Sequence, residues 1–398
     1  MTDTGSTAAA LPVREVEVLV VGGGIAGVAA AIAARRTGAR SVLLLERQFL
    51  LGGLATSGLI SIYLPLCDGR GKQLTYGLAE ELLRLGAAEA AEALYPDAWL
   101  NPEGDPAERS RQRFQVQLNP WFYALQLEEL CLASGAELLY GATVAEVGCR
   151  GDRIRSVLVQ FATTERLLVR PRMVVDASGD AIVALLAGEE TAVYEQQNIL
   201  AAWYRYYDGT TDLLQPLGAA ELPEEERRER GLPPVAPAAR WTGVGAVEQS
   251  DFASAMHRWI LEDFRGKGGS LTSVPQLPQL RMTRRIVGVS VPDDDPGAVW
   301  PDSIGVIANW RRPGPGYEIP FGSLHGPRVR NLLAAGRCSA ATERFWDQTR
   351  VIPACALTGE AAGTAAALGD DVSELPVRRL QEQLQRAGVR LRRPQTLR

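Results

Sequence analysis

A β-branched run, Val16 to Val21, passes without a spacer into the glycine series of VGGGIAGVAAAIAARRTGA, and this junction limits the fold more than any other stretch of the chain. Short apolar runs bounded by turn residues form buried parallel strands. Gly22, Gly24 and Gly27, spaced G-x-G-x-x-G, then allow a sharp strand-to-helix turn, close approach of backbone to a diphosphate, and tight packing of helix on sheet. Ile25 and Ala26 fall inside the series, where a helix N-terminus offers unpaired N–H groups and its positive dipole end to an anion. The periodicity predicts a helix from about Ile25 to Thr37, closed by Gly38 in a left-handed conformation. A second strand, Ser41 to Leu45, leads to Glu46, 24 residues after Gly22, near the spacing at which a carboxylate grips ribose hydroxyls. An acid there disfavours a 2′-phosphate, which leaves FAD or NAD as the dinucleotide.

The next segment, ERQFLLGGLATSGLIS, favours FAD. Glu46, five intervening residues and the pair Gly52-Gly53 resemble the extended signature of flavoproteins with two dinucleotide-binding domains. That resemblance implies that Arg47, Gly52, Gly53, Leu54, Ala55 and Thr56 run along the pyrophosphate and ribityl chain. Two later segments agree with it. MVVDASGDA carries Ala177, Ser178 and Gly179 at a strand end, and NLLAAGRCSAATERFWDQTRVIPACALTGEAAGTAAAL carries Gly336 and Arg337 ahead of a small-residue helix. On that helix Gly359 and Gly363 lie four apart and share a face that could meet ligand or sheet, with Ala361 and Ala362 between them. With the blocks GLISIYLPLCDGRGKQ, PQLRMTRRIVG, YEIPFGSL and RVIPACALTGEAAGTAAAL, the chain resembles the FAD-dependent oxidoreductase family related to fumarate reductase flavoproteins and the heterodisulfide reductase flavin subunit, from about Val16 to Leu368. The resemblance implies non-covalently bound FAD, the flavin end of it against the last small-residue helix, and a backbone contact to adenine at Val144.

It also implies an α/β fold: a glutathione-reductase-like, Rossmann-type FAD-binding domain with an inserted α+β substrate domain. Residues 14–62, 111–193 and 326–370 are assigned to the discontinuous FAD-binding domain, 63–110 to a helical excursion near the flavin, and 194–325 to the substrate domain. Residues 1–13 read as a disordered leader, and 371–398 as a tail with a short amphipathic helix and a basic, mobile end. Within the substrate domain, ELPEEERRERGLPP reads as an exposed helix and loop.

Composition narrows the function classes. The length of 398 residues suits about two domains, and a formal net charge of −5 gives no basic field for nucleic acid or an anionic membrane. No apolar run reaches the roughly 18 residues of a membrane span. Five scattered cysteines without C-x-x-C spacing argue against a disulfide framework or a metal centre, and two histidines, His257 and His325, are too few for a histidine-rich metal site. The expected setting is a reducing cytoplasm, with a small-molecule substrate; a homo-oligomer or a redox partner is compatible with the sequence. The pair Arg392-Arg393 reads as solvated surface.

Gly243-Val244-Gly245 lacks the third glycine, since Glu248 occupies its place, so no second dinucleotide fingerprint is present. The simpler expectation is that the substrate exchanges electrons directly with the flavin: oxidation of a small organic molecule by hydride transfer. Reduction of an activated double bond and a non-catalytic, electron-carrying flavoprotein are the alternatives. Candidate catalytic residues are Cys67, as a redox or nucleophilic thiol, Tyr63 beside it, Arg284 as a fork for a substrate carboxylate, and Arg350 facing the flavin or a substrate anion.

Overall fold

A computed structural model of the chain describes residues 11–89, 95–101, 103–218 and 239–394. Its centre is a parallel sheet. The glycine junction stands between β1 (Val13–Val21) and α1 (Ile25–Arg36), and β2 (Val42–Leu45) returns beside β1 with Val20 opposite Leu44. On the far side of β2 lies β5 (Glu137–Leu139), reached through β3 (Ile62–Tyr63), α2 (Leu78–Gly86), α3 (Asp97–Leu100), α4 (Pro106–Arg111), β4 (Val116–Gln117) and α5 (Pro120–Ala133). On the other side of β1 lies β8 (Arg166–Asp176), with Val20 opposite Val175. β6 (Ala142–Arg150) and β7 (Arg153–Phe161) form an antiparallel extension from the first half of β8, and β16 (Leu332–Ala334) joins its second half in parallel. The arrangement is a mixed α/β fold built on a parallel sheet.

Alternation along β1 divides the core. Val18 and Val20 face α1 and α9 (Ile352–Leu368), whereas Leu19 and Val21 face a second apolar cluster with β6, β7 and α6 (Ile182–Leu186). Helices α1 and α9 pack so closely that a Cβ on Gly359 would lie 2.2 Å from the Ala26 carbonyl oxygen, and one on Gly363 would lie 2.0 Å from that of Ala30. Both contacts advance four residues along each helix, so the two run in the same direction. Ile25, the first residue of α1, therefore stands level with Thr358, six residues into α9. At 1.5 Å per residue, the N-terminus of α9 projects about 9 Å beyond that of α1.

The remaining chain forms smaller units. β9 (Thr191–Val193) pairs with β13 (Arg284–Ile286); β10 (Tyr204–Tyr207) lies between β11 (Asp212–Gln215) and β12 (Ser270–Ser273); β14 (Ser303–Ala308) pairs with β15 (Gly316–Pro320). α7 (Ala246–Arg265) packs Phe252, Met256 and Ile260 against Tyr204 and Leu280. α8 (Glu343–Thr349) leads into α9 through a bend of 87°. Among the described residues no single helix is long and apolar enough to cross a membrane.

Three sequence readings change. The leader ends earlier than expected, because Val13 already pairs with Leu168 as the first residue of β1; residues 1–10 lie outside the described residues, as does ELPEEERRERGLPP. The basic end is docked rather than mobile up to residue 394. After α10 (Val377–Arg386), the Leu391 carbonyl accepts from Ser303 Oγ at 2.7 Å, and Arg392 and Arg393 close on Glu318. Arg393 is only 3% exposed, so it is no solvated surface residue.

Candidate cofactor site

Two glycine-rich turns and the N-termini of α1 and α9 surround one cleft that is partly open to solvent. Gly22 adopts φ +102°, and a Cβ on it would lie 2.4 Å from the Ala177 carbonyl oxygen, so the first turn tolerates only glycine. Gly24 differs: a Cβ there meets no protein atom within 4 Å and projects into the cleft. Gly24 caps α1 without any side-chain hydrogen bond, which leaves the first-turn N–H groups for a ligand. Gly24 and Gly52 form a bridge, and a Cβ on Gly53 would lie 3.3 Å from Gly24 Cα; the two turns brace each other.

Glu46 is buried at the end of β2. Its Oε2 accepts from Gly23 N at 2.6 Å and its Oε1 from Gln48 N at 2.8 Å. Each oxygen keeps a second lone pair, so a ribose hydroxyl can still be bound. Across the sheet, Asp176 ends β8 and accepts from Ser178 N and Ala184 N, at 3.1 and 3.0 Å, while burial raises its pKa. Cys338 Sγ accepts from Gly179 N and Ala181 N, both at 3.2 Å; burial raises its thiol pKa well above the usual range. The Ala177-Ser178-Gly179 turn is thus held from behind by Asp176 and Cys338, and both stand back from the cleft.

Arg337 donates through Nη1 to the Leu280 carbonyl at 2.9 Å and lies 3.9 Å from Asp180. Arg350 stands at the α8–α9 corner and pairs with Asp347 Oδ1 at 2.5 Å, while Arg311 takes Oδ2 at 2.6 Å. Burial alone would raise the Asp347 pKa, but Arg350 and Arg311 more than offset it and hold the carboxyl below its usual value. Cys355, in the first turn of α9, also lines the cleft; burial pushes its thiol up to about 11, so it is protonated at neutral pH.

Of the sequence-derived cofactor set, Gly22, Gly24, Ile25, Ala26, Glu46, Arg47, Gly52, Gly53, Leu54, Ala55, Ala177, Ser178, Gly179, Gly336 and Arg337 line this cleft, as does Arg350. Others do not. Gly27 lets α1 close on its turn, since a Cβ there would lie 1.7 Å from Gly22 O. Thr56 is buried and donates to Leu51 O at 2.6 Å. Gly359 meets Ala26 rather than a ligand, Ala361 and Ala362 lie in the core, and Val144 pairs with Val159 on β7.

Three catalytic candidates also fall away from the cleft. Tyr63 is fully buried and donates to Ala79 O at 2.7 Å, with its phenol pKa raised by burial. Cys67 Sγ accepts from Phe114 N at 3.2 Å, and burial raises its thiol pKa too; neither group is poised to react. Arg284 is half-buried on β13, opposite Val193. The sequence reading missed Asp180, Gln249, Leu277, Pro278, Leu280, Ala335, Ile352 and Cys355. A cue existed for part of this set, since PQLPQLR sets two prolines beside apolar residues, but Gln249 reaches the cleft from α7 with no local signal.

A family model described as FAD dependent oxidoreductase matches residues 17–213 and 267–384. Similar solved structures include the apo form of the Mycobacterium smegmatis Sdh1 complex, 14% identical, covering 92% of this chain and 70% of that one, with a TM-score of 0.48. A geranylgeranyl bacteriochlorophyll reductase-like protein from Thermoplasma acidophilum is 16% identical and covers 94% of this chain and 83% of its own, with a TM-score of 0.45. For the 3-ketosteroid-delta4-(5alpha)-dehydrogenase of Rhodococcus jostii the identity is 16%, the coverage 91% and 99%, and the TM-score 0.40.

Proposed function

This chain belongs to the FAD dependent oxidoreductase family, and on that premise we propose that it is a flavoenzyme of the dehydrogenase or oxidase type. In this reading it takes a small organic molecule as substrate and holds FAD without a covalent bond, in a glutathione-reductase-like arrangement. The observation that carries the reading is the stagger of two helix N-termini along one cleft. The first turn of α1 suits the diphosphate, Glu46 the adenosine ribose, and the first turn of α9, about 9 Å further on, the flavin end.

The chemistry that FAD supplies when bound is acceptance of a hydride, two electrons with one proton, from a substrate carbon. Arg350, steadied by Asp347, and the N-terminus of α9 would set positive charge at the end of the cleft where the flavin would be held. Leu277, Pro278 and Leu280 line the cleft from the 194–325 stretch with apolar surface. Neither histidine lines the cleft: His257 is exposed on α7 and the His325 ring packs tilted against Phe321. With no histidine at the cleft, a carboxylate, tyrosine, cysteine or water takes the companion proton, and an external electron acceptor such as dioxygen completes the cycle. The protonated thiol of Cys355 favours non-covalent retention.

Anaerobic mixing of the purified yellow protein with candidate small molecules tests the reading. Bleaching of the flavin band by a small molecule alone is expected. Bleaching only by a partner protein would overturn it in favour of an electron carrier.

A further inference from the structure

Beside the cleft-lining segments, three stretches of chain bring polar groups together around Gln279. Ser57 follows the cleft-lining Ala55 by two residues, Trp203 precedes β10, and Arg281 directly follows the cleft-lining Leu280. Gln279 stitches them together: its Nε2 donates to Gly58 O at 2.6 Å and to Trp203 O at 3.1 Å, and its Oε1 accepts from Trp203 N at 2.8 Å. The Arg281 guanidinium lies over the Trp203 ring, 5.6 Å from its centroid, in a residue that is 3% exposed.

Two groups here are sealed from solvent without a hydrogen-bond partner: the Ser57 hydroxyl, in a residue with no exposed surface, and the Trp203 indole Nε1. Buried polar groups are ordinarily paired, and an orphan is costly enough to call for an explanation. The indole N–H can only donate and the hydroxyl can donate, beside a guanidinium that cannot lose its proton. A donor set around a fixed cation repels metal ions and suits anionic oxygen. Arg281 lies one residue and Ser57 two residues from cleft-lining positions, so the cluster adjoins the cleft wall.

We propose that this cluster bounds a compartment for the carboxylate of a small organic acid, which makes such an acid the substrate class. The assignment rests on the flavoenzyme reading given above.

The test titrates the purified holoprotein with acetate and with benzoate, using benzamide as the uncharged counterpart and chloride as the salt control. Readouts are the flavin absorption difference spectrum, tryptophan emission and melting temperature. Saturable binding of a carboxylate but not of benzamide is expected. Trp203→Phe and Ser57→Ala should each weaken it about three- to tenfold, and Arg281→Lys about tenfold or more, all three keeping the flavin content of the parent. Because Trp203→Phe keeps the ring and removes only the N–H, it remains informative should the arginine variant fold poorly. Equal binding of benzamide, unchanged carboxylate affinity in Trp203→Phe and Ser57→Ala, or no carboxylate response in any readout would overturn the proposal. A protein that refuses FAD would refute the cofactor reading separately, since a carboxylate-induced rise in melting temperature reads the compartment without flavin.

Discussion

Gly22 and Gly24 stand two positions apart in one turn and are glycine for different reasons. At Gly22 the fold itself leaves no room, because Ala177 O would lie 2.4 Å from a Cβ. At Gly24 the fold leaves ample room, and the ligand is what a side chain would meet. Gly24→Val should therefore yield a folded protein with a near-parental melting temperature but colourless, read as the ratio of absorbance in the flavin band to that at 280 nm after purification. Retention of full colour would show that the diphosphate lies elsewhere. At the same scale, chemical type misleads when burial is unknown. Cys67 and Tyr63 carry reactive groups in a segment adjacent to the glycine pair, yet both point into the core, where desolvation favours their neutral forms.

Among the elements, α1 and α9 decide most of the site, and they were legible to different degrees. The turn and helix around Gly22 follow from contiguous residues, so the sequence places them to within a residue: α1 begins at Ile25 and Gly38 takes φ +106°, although the strand starts three residues earlier than read, at Val13. The glycines of α9 were legible as a small face but not in what fills it; Gly359 and Gly363 receive the backbone of α1, a contact more than 300 residues apart along the chain. Leu280 and Gln249 arrive by the same kind of long-range closure, which periodicity does not encode. Next to Gly359 on α9 is Glu360, whose Oε2 accepts from Leu78 N at 2.9 Å at the start of α2. Burial pushes this carboxyl from the usual 4.5 up to about 8, with the nearby Glu81 adding to the rise. Its folded-state value is raised, so its contribution to stability is complete below about pH 4.5 and is lost as pH climbs through about 8. The melting temperature of the parent should fall over that window by more than that of Glu360→Gln, whose amide oxygen can still accept from Leu78 N. Parallel curves for the two proteins would refute this.

For the molecule as a whole, the last described residues close the structure rather than trail from it. Glu318 on β15 has no exposed side-chain surface and is flanked by Arg392 Nη1 at 2.9 Å and Arg393 Nε at 3.9 Å. A run of basic residues near a chain end carries no sign of a buried partner some 75 positions earlier, which is why composition suggested a solvated tail. Glu318→Gln leaves buried guanidinium charge uncompensated and should cost about 3–5 kcal/mol, seen as a shift of the urea midpoint at unchanged slope. A shift below 1 kcal/mol would mean that the pair behaves as a surface ion pair. The parallel run of α1 and α9 has an effect that reaches past stability. On the cofactor placement proposed above, two positive poles fixed at different heights act as a gauge of molecular length: riboflavin or a mononucleotide would satisfy one pole and leave the other facing water. Selection for the longer cofactor is thus written into helix offset, and a register slip of one turn between those helices would mis-size the cleft with every contacting side chain still present.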